Sequence, residues 1–139
     1  ALGIRPFMRL SRDEEARVGA MLARVGLAGL EVRRPAELSG GQQSRVALAR
    51  IAVAGRPVAL LDEPFAALGP ALRHEMLALV AELAAETGLT VLIVTHDPED
   101  ARRIAQQTIL VADGIAAAPV DTAALFTDPP PALRAYLGT

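Results

Sequence analysis

The chain of 139 residues contains no cysteine, no tryptophan and no lysine, so all 14 of its basic residues are arginines. Without cysteine there is no disulfide framework, no zinc ribbon and no thiol nucleophile. Aromatic residues make up only 3% of a chain that is 52% hydrophobic, which predicts an aliphatic core of Leu, Val, Ile and Ala. The longest uninterrupted apolar run, residues 76–81, is far shorter than the roughly 18 residues that a membrane-spanning helix needs.

Charge and the N-terminal sequence exclude two further classes of protein. The formal net charge is -2 and the two signs are interspersed, so the chain has no basic footprint and we expect no nucleic-acid partner. The N-terminal residues ALGIRPFM lack the charged, apolar and cleavage regions of a signal peptide, which favours a cytoplasmic protein. The length fits one compact domain or part of a larger one.

Two helices are predicted in the N-terminal part of the chain. Ser11 and Glu14 form a capping box, and the apolar residues behind it recur at helical spacing, which predicts a helix from Arg12 to Val25. Ser39 is a second cap, and the apolar stripe after it predicts a helix that ends at Gly55.

Strands and helices alternate in the remaining sequence. Residues 58–61 and 90–95 are short apolar runs, typical of strands that are buried on both faces of a parallel sheet. Further elements are predicted in order: helices at 70–86 and 98–105, a third strand at 108–112 that turns through Asp113-Gly114 into a hairpin with 115–118, and short helices near 122–126 and 132–137. This order predicts an α/β fold with a parallel sheet, in which ligands bind at the carboxyl ends of the strands.

Three short segments could carry chemistry, and each has an ordinary structural alternative. The segment Leu38-Ser39-Gly40-Gly41-Gln42 could bind an anion through bare glycine amides, a hydroxyl and the helix dipole, or it could be a simple serine cap. Asp62 could hold a hydrated magnesium ion while Glu63 orients a water, although acids at strand ends are common. His96 could hydrogen-bond a phosphate oxygen or be a surface residue. The three segments in this order are far more specific than any one of them.

In this combination the sequence resembles the ATP-binding cassette (ABC) ATPases. Leu38 to Gln42 is similar to the family signature, Val58 to Asp62 to the Walker B strand, and Glu63 to the catalytic glutamate. The segment Ala66 to Gly69 is similar to the D-loop, and His96 matches the switch histidine.

The resemblance implies a fold and a division of the chain. The implied fold is a partial P-loop NTPase of ABC type, with three layers around a parallel sheet, preceded by part of the helical subdomain. Residues 1–54 would be the second part of the helical subdomain with the signature motif. Residues 55–139 would be the C-terminal part of the RecA-like ATPase core, with Walker B, the D-loop and the switch histidine.

The resemblance also implies roles for the motif residues. In the family, two subunits pair head to tail and enclose ATP and Mg²⁺, so the signature residues would contact the γ-phosphate of an ATP held by the partner. Asp62 would coordinate Mg²⁺ through water, and Glu63 would polarise the attacking water as general base. His96 would fasten the γ-phosphate and stabilise the transition state, in agreement with the positioning and charge neutralisation that phosphoryl transfer needs.

Two features depart from the family pattern. The D-loop, which contains Leu68 and Gly69, usually ends in Asp, so coupling between the two sites is expected to be weaker here or to rely on the Leu68 backbone. The P-loop needs a lysine that reaches the β and γ phosphates. Because the chain has none, we expect that the Walker A half is absent from these 139 residues and that the chain alone is inactive. Arg45 and Arg50, which follow the signature, are expected to form ion pairs rather than to touch nucleotide.

Within the family, residues 62–77 and 111–114 are similar to the ATPases of thiamine importers. This likeness implies uptake of thiamine or thiamine phosphate. The alternatives are import of sulfate, molybdate, iron or an amino acid, a non-transport ATPase of the same superfamily, and a truncated non-catalytic module that pairs with an intact cassette. The implied partners are a second ATPase subunit, membrane-spanning permease subunits and, indirectly, a periplasmic or extracellular substrate-binding protein. The implied location is the cytoplasmic face of the inner membrane, as a peripheral subunit.

Overall fold

The computed structural model describes residues 10–138 and contains two compact units, one ending at Val94 and the other beginning at Thr95. The elements of the first unit are α1 (Arg12–Arg24), α2 (Gly40–Ala54), β1 (Val58–Asp62), α3 (Pro70–Thr87) and β2 (Thr90–Val94). A short 3-10 helix, Pro35–Glu37, which the sequence analysis did not predict, lies between α1 and α2. The predicted division into subdomains at residues 54 and 55 stays a prediction.

The helices of the first unit begin and end where local sequence signals predict. At the start of α1, the Ser11 amide donates to Glu14 Oε2 over 2.8 Å and the Glu14 amide donates to Ser11 Oγ over 3.3 Å, which confirms the capping box. At the C-terminal ends of the other two helices, Gly55 closes α2 with φ 61° and Gly88 closes α3 with φ 69°. Glycine adopts this left-handed conformation without a steric penalty, so both helices stop at these residues.

The core of the first unit lies among α1, α2 and α3. Its most deeply buried side chains are aliphatic, as the composition predicts: Val25, Leu27, Met76, Leu77 and Leu83. Burying each large side chain stabilises the fold by about 1.5–3 kcal/mol.

An ion-pair cluster on the surface joins the end of α1 to α3. Arg24, in the last turn of α1, donates to Glu82 Oε2 over 2.9 Å and to Glu86 Oε1 over 2.5 Å on α3. The hydrogen bond from Arg24 lowers the pKa of the Glu86 carboxyl below its ordinary value. Because all three side chains are exposed, this cluster fixes the approach of the two helices more than it adds stability.

The two strands of the first unit pair in parallel, and one face of the pair is exposed. The register places Val58 opposite Thr90 and Asp62 opposite Val94. Ala59 is buried, whereas Leu60 is 74% and Val94 55% exposed. The apolar runs are typical of strands that are buried on both faces, whereas the described residues of this chain cover only one face of the pair.

The second unit consists of short elements. In chain order they are α4 (Pro98–Ile104), β3 (Gln107–Thr108), β4 (Val111–Ala112), β5 (Ile115–Ala116), β6 (Val120–Asp121), α5 (Thr122–Thr127) and α6 (Pro131–Leu137). Within residues 10–138, no helix is both long enough and apolar enough to cross a bilayer.

The single third strand predicted at 108–112 is wrong, because the structure divides it between two antiparallel pairs. Thr108 pairs with Val120 in β6, and β4 pairs with β5 in the predicted hairpin. The turn of this hairpin has φ 52° at Asp113 and φ 74° at Gly114. Positive φ at both positions is typical of the tight turns that fold a strand directly back on itself, as β4 and β5 are here.

We predict that the exposed strand face makes the isolated chain self-associate. Substituting Leu60→Lys in the middle of β1 is expected to reduce the association seen by light scattering, because it breaks the apolar patch with a charge. Val32→Lys is the matched control, since Val32 is 93% exposed in a turn away from the strands. An isolated chain that is monomeric without any substitution would contradict the prediction.

Candidate functional site

The signature segment forms the capped start of α2. The Ser39 amide donates to Gln42 Oε1 over 2.9 Å, and the Gln42 amide donates to Ser39 Oγ over 3.3 Å. Gln43 Nε2 donates to the carbonyl of Leu38 over 3.1 Å and so ties the preceding residue to the helix. A Cβ added at Gly40 would meet no atom within 4 Å, so the helix start is open on that side. The hydroxyl of Ser39 can still donate its own proton, and with the helix dipole it provides an environment that suits an anion.

The space beside Gly41, unlike that beside Gly40, is occupied by another side chain. A Cβ added at Gly41 would lie 2.6 Å from Leu72 Cδ2 on α3, which is closer than real Cβ contacts. A side chain at this position would therefore require the end of the Leu72 side chain to move. The sequence pattern predicts access for an oxyanion at both glycines and gives no sign of Leu72, because nothing in the local sequence links residues 41 and 72.

Arg45 joins the signature helix to two other helices. Its Nη1 donates to the carbonyl of Val25 over 2.8 Å at the end of α1, and its Nη2 lies 2.6 Å from Glu75 Oε1 on α3. This confirms the prediction of an ion pair for Arg45. Since Leu72 and Glu75 are one helical turn apart on α3, the same face of α3 contacts α2 at two points.

The acidic pair stands at the end of β1 and is exposed. Asp62 is the last residue of the strand, and the Glu63 amide donates to the carbonyl of Val94 over 2.9 Å. Glu63 has φ 42°, a left-handed conformation that costs a residue with a Cβ about 1–2 kcal/mol. The buried Phe65 anchors the turn that follows. A strained backbone under an exposed carboxylate is typical of functional sites.

The D-loop segment leads directly into α3. Gly69 is the N-cap residue of this helix, with φ -64° and ψ 157° and no side-chain hydrogen bond to the helix. A Cβ added at Gly69 would meet no atom within 4 Å. The Asp that the family usually has here would therefore fit both the space and the capping role. The roles of Leu68 and Gly69 in coupling stay a prediction.

His96 lies in the second unit, two residues beyond the end of β2. It is exposed, and its neighbours are held by hydrogen bonds: Thr95 Oγ1 donates to Asp100 Oδ2 over 2.6 Å and accepts from the Asp97 amide over 3.1 Å. Asp97 in turn caps α4 by accepting from the Glu99 amide over 3.0 Å. Asp100 is buried, and the sequence analysis did not single it out.

Asp62 by itself offers one ligand to a magnesium ion and would need further ligands from elsewhere. In the part of the chain that the structure describes, no group of three or more His, Cys, Asp or Glu side chains could hold a metal ion. Mg²⁺ at phosphate-transfer sites is usually held by one or two carboxylates together with water and substrate phosphates. The exposed carboxylate of Asp62 at a strand end provides such a ligand.

One protein family matches the N-terminal part of the chain. Residues 4–66, which include the signature segment and the Asp62-Glu63 pair, match the ABC transporter family. This part of the chain is therefore similar to the ABC transporter family, and the chain as a whole is similar to ATP-binding proteins of such transporters.

Two curated proteins that are similar to the chain carry the same name. The chain is 69% identical to the thiamine import ATP-binding protein ThiQ of Cereibacter sphaeroides over 137 residues, which are 99% of this chain and 59% of that protein. It is 61% identical to the thiamine import ATP-binding protein ThiQ of a Ruegeria species, again over 99% of this chain and 59% of that protein. The chain thus spans about three fifths of the length of these curated relatives.

Solved structures share the fold. The protein cbiO1 from Clostridium perfringens, part of the ABC transporter complex cbiONQ, matches with TM-score 0.77 and 32% identity, over 88% of this chain and 49% of that one. An ATP-binding cassette of an ABC transporter in its ADP conformation matches with TM-score 0.80 and 24% identity, over 97% of this chain and 54% of that one. Together with the parallel pairing of β1 and β2, these matches confirm the partial P-loop NTPase fold.

We predict that Gly41 and Gly40 respond differently to the same substitution. The test protein is a hybrid ATPase in which this chain replaces the matching 137 residues of the Cereibacter sphaeroides relative. Gly41→Ala is expected to lower the free energy of unfolding by about 1 kcal/mol relative to Gly40→Ala, because the end of the Leu72 side chain must move to make room for the methyl group. Leu72→Ala in the same protein is expected to recover part of this loss.

The matched control is Gly40→Ala, which has open space and is expected to leave stability nearly unchanged. Chemical denaturation measures all of these variants. Equal losses at the two glycines, or no recovery in the double variant, would contradict the packing explanation.

Proposed function

We propose that this chain is part of the ATP-hydrolysing subunit of an importer whose solute is thiamine or thiamine phosphate. One observation carries the proposal: a capped, glycine-led helix and an exposed Asp62-Glu63 pair at the end of a parallel strand occur in a chain that is 69% identical to a thiamine import ATP-binding protein. The ATP chemistry rests on these residues. The choice of solute rests on the relatives, because none of these residues would touch the solute.

In the proposed mechanism the chain contributes to two ATP sites. The start of α2, with Ser39 and Gly40 at its open side, binds the γ-phosphate of an ATP held by the partner subunit. In its own subunit, Asp62 holds Mg²⁺ through water, Glu63 orients and deprotonates the attacking water, and His96 contacts the γ-phosphate. When bound, Mg²⁺ neutralises charge on the phosphates, which is most of what phosphoryl transfer requires besides positioning.

The phosphate-binding loop that completes this mechanism comes from outside these residues. A P-loop needs a lysine that reaches the β and γ phosphates, and the 139 residues contain none. In the proposal the chain therefore hydrolyses ATP only in combination with such a loop, and the 139 residues alone are inactive.

The proposed assembly follows that of ABC importers. The partners are a second ATP-binding subunit, membrane-spanning permease subunits and, indirectly, a substrate-binding protein outside the membrane. Support comes from cbiO1, the structural relative that is part of an ABC transporter complex. The chain would then lie at the cytoplasmic face of the inner membrane as a peripheral subunit.

A non-catalytic module is the second candidate, and the lack of lysine favours it. In this case the 139 residues present α2 to an intact cassette and hold no nucleotide of their own. Adding the purified chain to the intact Cereibacter sphaeroides relative distinguishes the candidates: a changed ATPase rate supports the module, and no binding removes it.

We predict that Glu63→Gln in the hybrid ATPase separates hydrolysis from binding. Loss of a general base is expected to lower kcat by at least about 100-fold. ATP-dependent dimerisation is expected to persist, since the amide keeps the shape of the carboxylate. ATPase assays and size-exclusion chromatography with ATP measure the two properties.

Glu15→Gln, on the exposed surface of α1, is the matched control and is expected to leave kcat unchanged. Retained turnover in Glu63→Gln would refute the role of Glu63 as general base.

A further inference from the structure

The peptide group that follows His96 is held at both of its polar ends. Its N–H, on Asp97, donates to Thr95 Oγ1 over 3.1 Å. Its carbonyl, on His96, accepts from the hydroxyl of Tyr136 over 2.6 Å. Because a peptide group is planar, holding both ends fixes the backbone ψ angle of His96. The side-chain rotamers that a residue can adopt depend on its backbone angles, so the same contacts restrict the direction of the imidazole.

The N–H end of this peptide group is held by Thr95, and Thr95 is itself held by a residue of α4. Thr95 Oγ1 donates to Asp100 Oδ2 over 2.6 Å, and Asp100 is only 7% exposed on α4. A buried carboxylate that accepts a hydroxyl proton holds that hydroxyl in one orientation, so Thr95 is a firm acceptor for the Asp97 amide. The Tyr136 hydroxyl therefore holds the carbonyl end of a peptide group whose N–H end is already held by Thr95.

Tyr136 is not held in place by burial of its ring. The residue is 63% exposed, whereas Leu133 on the same helix, α6, is 5% exposed and anchors it. Arg134 fixes the start of α6 by donating through Nε to the carbonyl of Pro129 over 2.6 Å and through Nη2 to Asp128 Oδ1 over 2.9 Å. Since these contacts hold α6 without Tyr136, the specific contribution of Tyr136 is its hydroxyl on the His96 carbonyl.

We propose that Tyr136 is a positioning residue for His96. Its hydroxyl holds the His96 carbonyl and thereby directs the imidazole toward the γ-phosphate. In this proposal Tyr136 touches neither the nucleotide nor the attacking water, and it acts only through His96. The inference rests on the proposed role of His96 in ATP hydrolysis, and it makes α6 part of the catalytic apparatus.

The test is Tyr136→Phe in the hybrid ATPase, which removes one oxygen atom and leaves the ring. Losing one hydrogen bond that orders His96 in the transition state is expected to lower kcat by about three- to tenfold, with an unchanged KM for MgATP. The thermal midpoint is expected to stay the same, because the hydroxyl is at an exposed site. On the residual rate of His96→Ala, adding Tyr136→Phe is expected to cause no further loss, because the two residues act as one unit.

Thr127→Val is the matched control. Thr127 Oγ1 also donates to a backbone carbonyl at an exposed site of the second unit, that of Ala123 over 2.8 Å. This variant is expected to keep the kcat of the parent protein.

Three results would overturn the proposal. They are an unchanged kcat in Tyr136→Phe, the same fold-loss of kcat in the His96→Ala background, and a loss of kcat that is matched by Thr127→Val. A separate result tests the proposed function. If His96→Ala keeps full turnover, His96 has no role in hydrolysis, and Tyr136 then has no positioning role either. If His96→Ala loses turnover and Tyr136→Phe does not, only the positioning role is removed.

Discussion

The parallel pairing of β1 with β2 is the interaction on which the candidate site depends. Its register ends with Asp62 opposite Val94, and one more hydrogen bond, from the Glu63 amide to the Val94 carbonyl, fixes the residue beyond the strand. A slip of one residue would turn every side chain to the opposite face and move both acids away from the strand end. The left-handed conformation of Glu63 is held by this bond and by the buried Phe65 behind it.

Helix α3 connects this strand end to the signature helix. It begins at the end of the D-loop, contacts α2 through Leu72 and Glu75, and carries the buried residues Met76 and Leu77. A single rigid element therefore joins the D-loop, the signature helix and the core.

Local signals predicted most of the helices, and nonlocal packing explains the errors. Caps such as Ser11 and Ser39 are visible in the sequence because their partners are three residues away. The exposure of Leu60 depends on which other segments cover the sheet, and a pattern of apolar residues cannot report that. The contact of Gly41 with Leu72 and the bond from Tyr136 to His96 join residues about 30 and 40 positions apart, so no sequence motif contains them. The roles of Asp62, Glu63 and His96 came from their order in the chain and from the family likeness.

The central claim is that the signature helix of one subunit completes the site in which Glu63 of the other subunit acts. Mixing two inactive variants of the hybrid ATPase tests it most directly: Ser39→Arg blocks the start of α2, and Glu63→Gln removes the base. If the signature acts across the dimer, the mixed dimer contains one site with an intact signature and an intact Glu63, and ATP hydrolysis returns on mixing. If hydrolysis never exceeds the sum of the two separate variants, the claim is contradicted.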